Sequence, residues 1–74
     1  MKGLLLTQIK SHGLNGNFNR YQLWEYDLIP QYNRKPYWYR GEIKYHCRTW
    51  EEASEYFDAL APYYEDVDFN IVGE

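Results

Sequence analysis

The chain has 74 residues, which predicts one domain over residues 1–74 with a small core and little room for a deep pocket. Nucleic-acid-binding domains usually carry a net positive charge, so the net charge of −3 argues against that function. Aromatic residues make up 20% of the chain, which excludes a disordered segment.

The first two predicted elements are β-strands joined by a loop. The first strand covers residues 4–10, and the Gly- and Asn-rich residues 11–19 predict a loop with a tight turn at Asn15-Gly16. The second strand covers residues 20–29, where apolar side chains alternate with carboxylates. Trp24, Tyr26 and Leu28 lie on one face of this strand, and Glu25 and Asp27 lie on the other.

A third strand is predicted over residues 37–47, after a seven-residue loop at residues 30–36. Its alternation of apolar and charged side chains is typical of a half-buried strand in an antiparallel sheet. Gly41 inside the strand predicts a bulge, and a tight turn at Arg40-Gly41 is the alternative. The inward side carries Tyr37, Tyr39, Ile43, Tyr45 and Cys47, and the polar side carries Trp38, Arg40, Glu42, Lys44 and His46.

A helix and a last strand complete the chain. Thr49 and Glu52 fit a capping box, so the helix begins at Thr49, and Pro62 ends it near Ala61. The last strand covers residues 67–72. The helix places Trp50, Ala53, Phe57 and Leu60 on an apolar stripe and Glu51, Glu55 and Asp58 opposite, while the last strand turns Val67, Phe69 and Ile71 inward.

The order β-β-β-α-β predicts an α+β fold, a two-layer sandwich with a four-stranded, mainly antiparallel sheet. The helix and one face of the sheet cover each other, and the other face is open to water. Because crossover connections are right-handed, the last strand runs parallel to the third. It pairs beside either the third strand or the first.

Charge is divided unevenly along the chain. Residues 1–48 hold all 8 basic residues and three acidic ones, whereas residues 49–74 hold eight acidic residues and no Lys or Arg. A solvated helix face with acidic residues near its N-terminus explains part of this pattern. It does not explain why Lys and Arg are missing, and a surface of a single sign steers a basic partner.

The sequence predicts neither a metal site nor a catalytic cysteine, and it predicts no cofactor. His12, His46 and Cys47 lack the spacing of metal ligands, and adjacent strand residues point to opposite faces. Cys47 is predicted inward and has no oxyanion loop around it. A single cysteine also excludes an internal disulfide, which indicates a reducing cytoplasm. The apolar run at residues 4–6 is too short for a signal peptide or a membrane span.

One short segment resembles an enzyme motif. Glu42-Ile43-Lys44, with Asp27 upstream, is similar to the E-x-K strand of PD-(D/E)xK nucleases. That resemblance implies a Mg²⁺-dependent hydrolytic site. The alternative is a cross-strand charge pair on a solvated strand, and we favour it because the helices that frame such a site are missing.

Basic and aromatic residues alternate in the first half, as they do in sheets that stack single-stranded bases. They are Arg20, Arg34, Lys35, Arg40, Lys44 and Arg48, with Trp24, Tyr32, Trp38 and Tyr45. Most of these aromatic side chains are predicted inward as core, and only Trp38 stands on the polar face. A nucleic-acid-binding module on the open face is therefore the alternative function, and a small homo-oligomeric subunit is a third.

The helix and the last strand carry a resemblance of architecture. A strand leads into Arg48-Thr49-Trp50-Glu51-Glu52-Ala53, and the amphipathic helix is followed by a closing strand at residues 66–71. Small phage and mobile-element proteins, among them several anti-CRISPR proteins, are similar in this pattern, in size and in acidity. The resemblance implies an inhibitor that occupies a surface of a host defence complex in the host cytoplasm. No functional residue is carried over from it.

We therefore expect a non-enzymatic binding protein, monomeric or homodimeric, with a protein partner whose surface is basic and with no membrane partner. Acidic side chains would meet Lys and Arg of the partner, and aromatic side chains would anchor the contact. The expected contact residues are Glu51, Glu55, Asp58, Glu65, Asp66 and Asp68, with Trp38 and Arg40 on the open sheet face.

Overall fold

A computed structural model describes residues 1–13 and 16–73, and the side chains of residues 1–11 and 19–73. The elements are β1 (Lys2–Gly13), β2 (Gly16–Gln31), β3 (Arg34–Cys47), α1 (Trp50–Leu60), a 3₁₀ turn (Ala61–Tyr63) and β4 (Asp66–Gly73). The predicted α+β class and the order β-β-β-α-β are confirmed. Within the described ranges, no helix is long and apolar enough to cross a membrane.

The four strands form one mixed sheet in the order β3-β2-β1-β4. The pairs β1–β2 and β2–β3 are antiparallel, and β4 is parallel to β1. β4 therefore runs in the same direction as β3, as the crossover rule predicts. Of the two positions left open by the sequence, β4 takes the one beside β1, where Asp66 pairs with Gly3.

The prediction of a loop at residues 30–36 is wrong. β2 and β3 continue through this segment, and only Tyr32 and Asn33 form the turn between them. Asn33 adopts a φ of 55°, a left-handed conformation that Asn tolerates. Pro30 lies where the register shifts, and such irregular positions tolerate the missing N–H of proline.

The loop predicted at residues 11–19 is also shorter in the structure. β1 continues to Gly13, and β2 begins at Gly16, which pairs with Gly13. The tight turn predicted at Asn15-Gly16 includes Asn15, which lies outside the described residues.

The bulge predicted at Gly41 is confirmed, and the alternative of a tight turn is wrong because β3 continues unbroken from Arg34 to Cys47. The register shifts between the pairs Glu25–Glu42 and Asp27–Tyr39, so β3 holds one more residue here than β2. Arg40 takes the left-handed conformation of this bulge, with a φ of 56°.

A second irregularity in β3 changes which side chains share a face. Leu23 pairs with Tyr45, but the next residue, Trp24, pairs with Ile43, so Lys44 is an extra residue. Because paired residues share a face, Tyr45 lies on the side of α1 and Ile43 lies on the other side. The prediction that Ile43 shares the inward side with Tyr45 is therefore wrong.

The core lies between α1 and one face of the sheet, which we call the helix face. Its buried members are Leu4, Leu6, Tyr21, Leu23, Cys47 and Ala53. Phe57 and Leu60 of the predicted apolar stripe pack against this cluster. Thr49 Oγ1 accepts the N–H of Glu52 at 3.2 Å, which confirms the predicted N-cap.

The opposite face of the sheet, the open face, is aromatic and not polar. Trp24 lies there with Leu5 and Ile9, whereas Glu25 lies on the helix face, where the Tyr64 hydroxyl reaches it. The alternation in β2 is as predicted, but the prediction that Trp24 points inward is wrong. Its ring packs beside Tyr26, and Tyr26 meets Trp38 edge-on at 5.6 Å.

Candidate functional site

The outward face of α1 carries the acidic residues that the sequence singled out. Glu51, Glu55 and Asp58 are all exposed and lie opposite the side that packs Ala53 into the core. No ion pair between described side chains involves these three carboxylates. The helix therefore presents uncompensated negative charge to solvent, in an orientation fixed by its buried stripe.

The other three predicted carboxylates lie at the end and the edge of the sheet. Glu65 accepts the backbone N–H of Lys2 at 2.6 Å, and this bond lowers the pKa of its carboxyl group. Asp66 and Asp68 accept the N–H groups of Val67 and Phe69 at 3.0 and 2.8 Å. These bonds hold both carboxylates along β4.

Trp38 and Arg40 do not join the acidic residues. Trp38 pairs with Leu28 and contacts Tyr26 on the open face. Arg40 lies in the bulge of β3, with its guanidinium 5.6 Å from the centre of the Tyr39 ring. Since β3 and β4 are opposite edges of the sheet, the eight predicted contact residues do not form one surface.

Two lysines, Lys2 on β1 and Lys44 on β3, are paired with carboxylates of the first half of the chain. Lys2 lies 2.5 Å from Asp27 and 3.8 Å from Glu25, and Lys44 lies within 4.0 Å of Glu25 and Glu42. Hydrogen bonding and charge from Lys2 lower the pKa of Asp27. Lys44 of the E-x-K motif thus pairs across the strands with Glu25 and along β3 with Glu42. Sequence reasoning missed Glu25 as the common partner of Lys2 and Lys44.

Tyr64 joins this network from the end of the helical segment. Its hydroxyl donates to Glu25 Oε2 at 2.8 Å, and burial, this hydrogen bond and the Glu25 charge raise the pKa of Tyr64 to about 12. A free tyrosine has a pKa of 10.0, so as the pH rises Tyr64 ionises in the unfolded chain before it ionises in the folded protein. The contribution to stability is complete below pH 10 and is lost as the pH rises towards 12.

We therefore expect the free energy of unfolding to fall less steeply above pH 10 in Tyr64→Phe than in the parent protein. Chemical denaturation at closely spaced pH values measures this difference. Tyr63→Phe is the control, because Tyr63 is 80% exposed and is the neighbour in sequence. The same pH dependence in both variants would contradict the assignment.

A shallow cavity of about 330 Å³ lies on the open face, across β2, β1 and β4. Trp24 and Tyr26 are the aromatic residues of its lining, and Gln22 and Asn70 line it as well. Trp24 Nε1–H donates to Gln22 Oε1 at 3.1 Å, which fixes the orientation of the indole ring. Among the described residues that line it there is no acidic, basic, His or Cys side chain, so these residues offer no cation to a phosphate.

The predicted absence of a metal site remains a prediction, although among the described residues no three His, Cys, Asp or Glu side chains come together as ligands. The side chain of His12 lies outside those described. His46 and Cys47 are adjacent in β3, and Cys47 is buried while His46 is exposed.

Cys47 is 3% exposed, and burial together with the nearby Glu52 charge raises the pKa of its thiol. We expect iodoacetamide to modify Cys47 at least about tenfold more slowly in the folded protein than in denaturant, because the thiolate is the reactive form. Mass spectrometry of timed samples measures both rates. Equal rates would show that the thiol is accessible, contrary to this packing.

No protein-family model, curated protein or solved structure matches the chain. The fold and the side chains therefore carry the functional argument.

Proposed function

We propose that this chain is a non-enzymatic binding protein whose partner is a protein with a basic surface. The acidic face of α1 makes the electrostatic contact, and the protein acts by covering that surface. We further propose, from the resemblance in architecture, that it is a phage-encoded inhibitor of a host defence complex of the CRISPR-Cas type, acting in the host cytoplasm. In such complexes, the clefts that hold nucleic acid are basic.

The single observation that supports the proposal is the outward row Glu51, Glu55 and Asp58. These carboxylates are exposed, and no ion pair among the described residues neutralises them, whereas Lys2 and Lys44 are engaged by other carboxylates. Exposed charge of one sign accelerates association with a partner of opposite sign and favours its orientation.

The test is protection of an infecting phage in a bacterial strain with an active CRISPR-Cas system that targets it. Expression of the protein is expected to restore plaque formation, and the E51K/E55K/D58K variant is expected to lose that effect. The single variants E55K and E42K are compared as well, since both alter net charge by the same amount and Glu42 lies on β3; only E55K is expected to reduce protection. Equal protection by the triple variant and the parent protein would remove the helix face from the mechanism.

A nucleic-acid-binding module on the open face is the second candidate. Trp24, Tyr26 and Trp38 support it, because aromatic side chains stack bases of single strands. The uncharged cavity lining argues against it, since a bound backbone needs cations nearby. A gel shift with single-stranded and duplex probes at low salt separates the two functions. Binding that weakens with salt and in Arg40→Ala would favour this second candidate.

A further inference from the structure

An apolar strip on the helix face runs along the outer edge of the sheet, between α1 and β4. It consists of Trp50, Val67, Phe69 and Ile71, which we call the edge strip. Their side chains are 47%, 41%, 42% and 53% exposed. Trp50 meets Phe69 edge-on at 6.0 Å, so the helix and the edge strand share a continuous apolar surface. Clustered exposed apolar side chains of this kind mark interaction sites.

Carboxylates border the strip on the strand side. Asp66 and Asp68 accept the N–H groups of Val67 and Phe69. The two aspartates pair with Gly3 and Leu5, so they border the strip from the open face of the same edge strand. Two of the N–H groups of β4 are thus already occupied. This disfavours the addition of a strand along these residues and favours contact through side chains.

Carboxylates also border the strip on the helix side. Trp50 faces β4, whereas Tyr56 stacks on Tyr45 of β3 with a ring separation of 4.8 Å. Glu51 and Asp58 are seven residues apart, so they share one side of α1, between Trp50 and the middle of the outward face. Both are exposed, so acidic side chains flank the apolar strip on two sides.

The opposite edge of the sheet has a different character. β3 carries register shifts and the basic residues Arg34, Lys35 and Arg40. Bulges and charges on an edge strand discourage association. Both edges expose apolar side chains, since Tyr37, Tyr39 and Tyr45 on β3 are exposed as well. The edge at β4 differs in that its neighbouring charges are negative.

We propose that the edge strip is the docking surface for a segment of a partner protein in which apolar side chains alternate with Lys or Arg. This inference rests on the proposed function and adds the apolar anchor and its position. The apolar side chains of the segment cover Trp50, Phe69 and Ile71, and its cations meet Asp58, Asp66 and Asp68. Both kinds of contact are needed for tight binding, since exposed ion pairs alone contribute little.

The test uses two labelled synthetic peptides of equal charge, one alternating Lys and Leu and the other alternating Lys and Ser, measured by fluorescence anisotropy at low salt. The Lys-Leu peptide is expected to bind at least about tenfold more tightly. Ile71→Ser is expected to abolish that preference. Ile29→Ser is the matched control, because Ile29 is 44% exposed on β2. E51K/D58K is expected to weaken both peptides.

Each departure from these results has its own meaning. Equal affinity for the two peptides would overturn the edge strip as an anchor and leave the acidic proposal standing. Equal loss in Ile29→Ser and Ile71→Ser would also overturn it. So would a dimer in light scattering that Ile71→Ser abolishes, because a second copy of the chain would then occupy the strip. Undiminished binding of both peptides to E51K/D58K would count against the proposed function itself.

Discussion

Leu23→Ala is expected to lower the free energy of unfolding by roughly 3–5 kcal/mol, because the substitution leaves a cavity in a small core. Leu23 is fully buried in the centre of the sheet, between Leu6 on β1 and Tyr45 on β3. A domain of this length is stable by only about 4–11 kcal/mol, so the variant keeps little reserve. Denaturant titration followed by circular dichroism measures the change.

Ile29→Ala is the control for Leu23→Ala. Ile29 lies on the same strand and is 44% exposed, so its truncation removes few contacts with the core and leaves no buried cavity. A loss below about 1 kcal/mol is expected there. Similar losses in both variants would mean that the core does not lie where this packing places it.

Gly41→Ala is expected to destabilise the protein by roughly 1–3 kcal/mol, the usual cost of overpacking. A Cβ atom on Gly41 would overlap the ring of Tyr26. That ring is held between Trp24 and Trp38, at 6.1 and 5.6 Å, so it cannot move away without displacing them. The ring of Tyr26 therefore packs directly against Gly41 in the bulge, where a larger residue would not fit.

A double-mutant cycle isolates this contact. In a Tyr26→Ala background the cost of Gly41→Ala is expected to fall to within about 0.5 kcal/mol of zero, because the overlapping ring is gone. Gly73→Ala is the matched control, since a Cβ atom there meets nothing within 4 Å. An unchanged cost of Gly41→Ala in the Tyr26→Ala background would show that backbone strain, and not the ring, is responsible.

The helix was predictable because its signals are local. Thr49 caps the first turn, Pro62 follows the last one, and the apolar stripe has helical spacing. The bulge at Gly41 was also predictable, since glycine within a strand has few other uses. Parallel alignment of the last strand followed from the handedness of crossovers, whereas its place beside β1 depends on pairing across the whole chain.

The choice of faces in β2 was not predictable. Alternation separates Trp24 from Glu25 but does not say which side the helix covers. The usual rule puts the aromatic side inward, yet Glu25 lies on the helix face because Tyr64 and Lys44 satisfy it there. Trp24 lies on the open face beside Tyr26, so this protein has aromatic packing on both sides of one sheet.

The acidic row on α1 was predictable from helical spacing, but the edge strip was not. Trp50 reads as core in the sequence, and Val67, Phe69 and Ile71 read as the inward side of a strand. Their direction was right, since Phe69 meets Trp50 on the helix face. Their exposure arises because β4 is an edge strand and one short helix does not cover its full width.

The parallel pairing of β1 with β4 has a consequence for synthesis of the chain. The N–H of Glu65 donates to the carbonyl of Lys2, just before the two strands pair, and these residues are 63 positions apart in the chain. The pairs β1–β2 and β2–β3, in contrast, are hairpins between strands that are neighbours in sequence. A nascent chain on the ribosome therefore has the three-stranded meander available first, with one side of β1 unsatisfied. Because distant pairings form slowly, we expect residues 66–73 to close the sheet after the meander has formed.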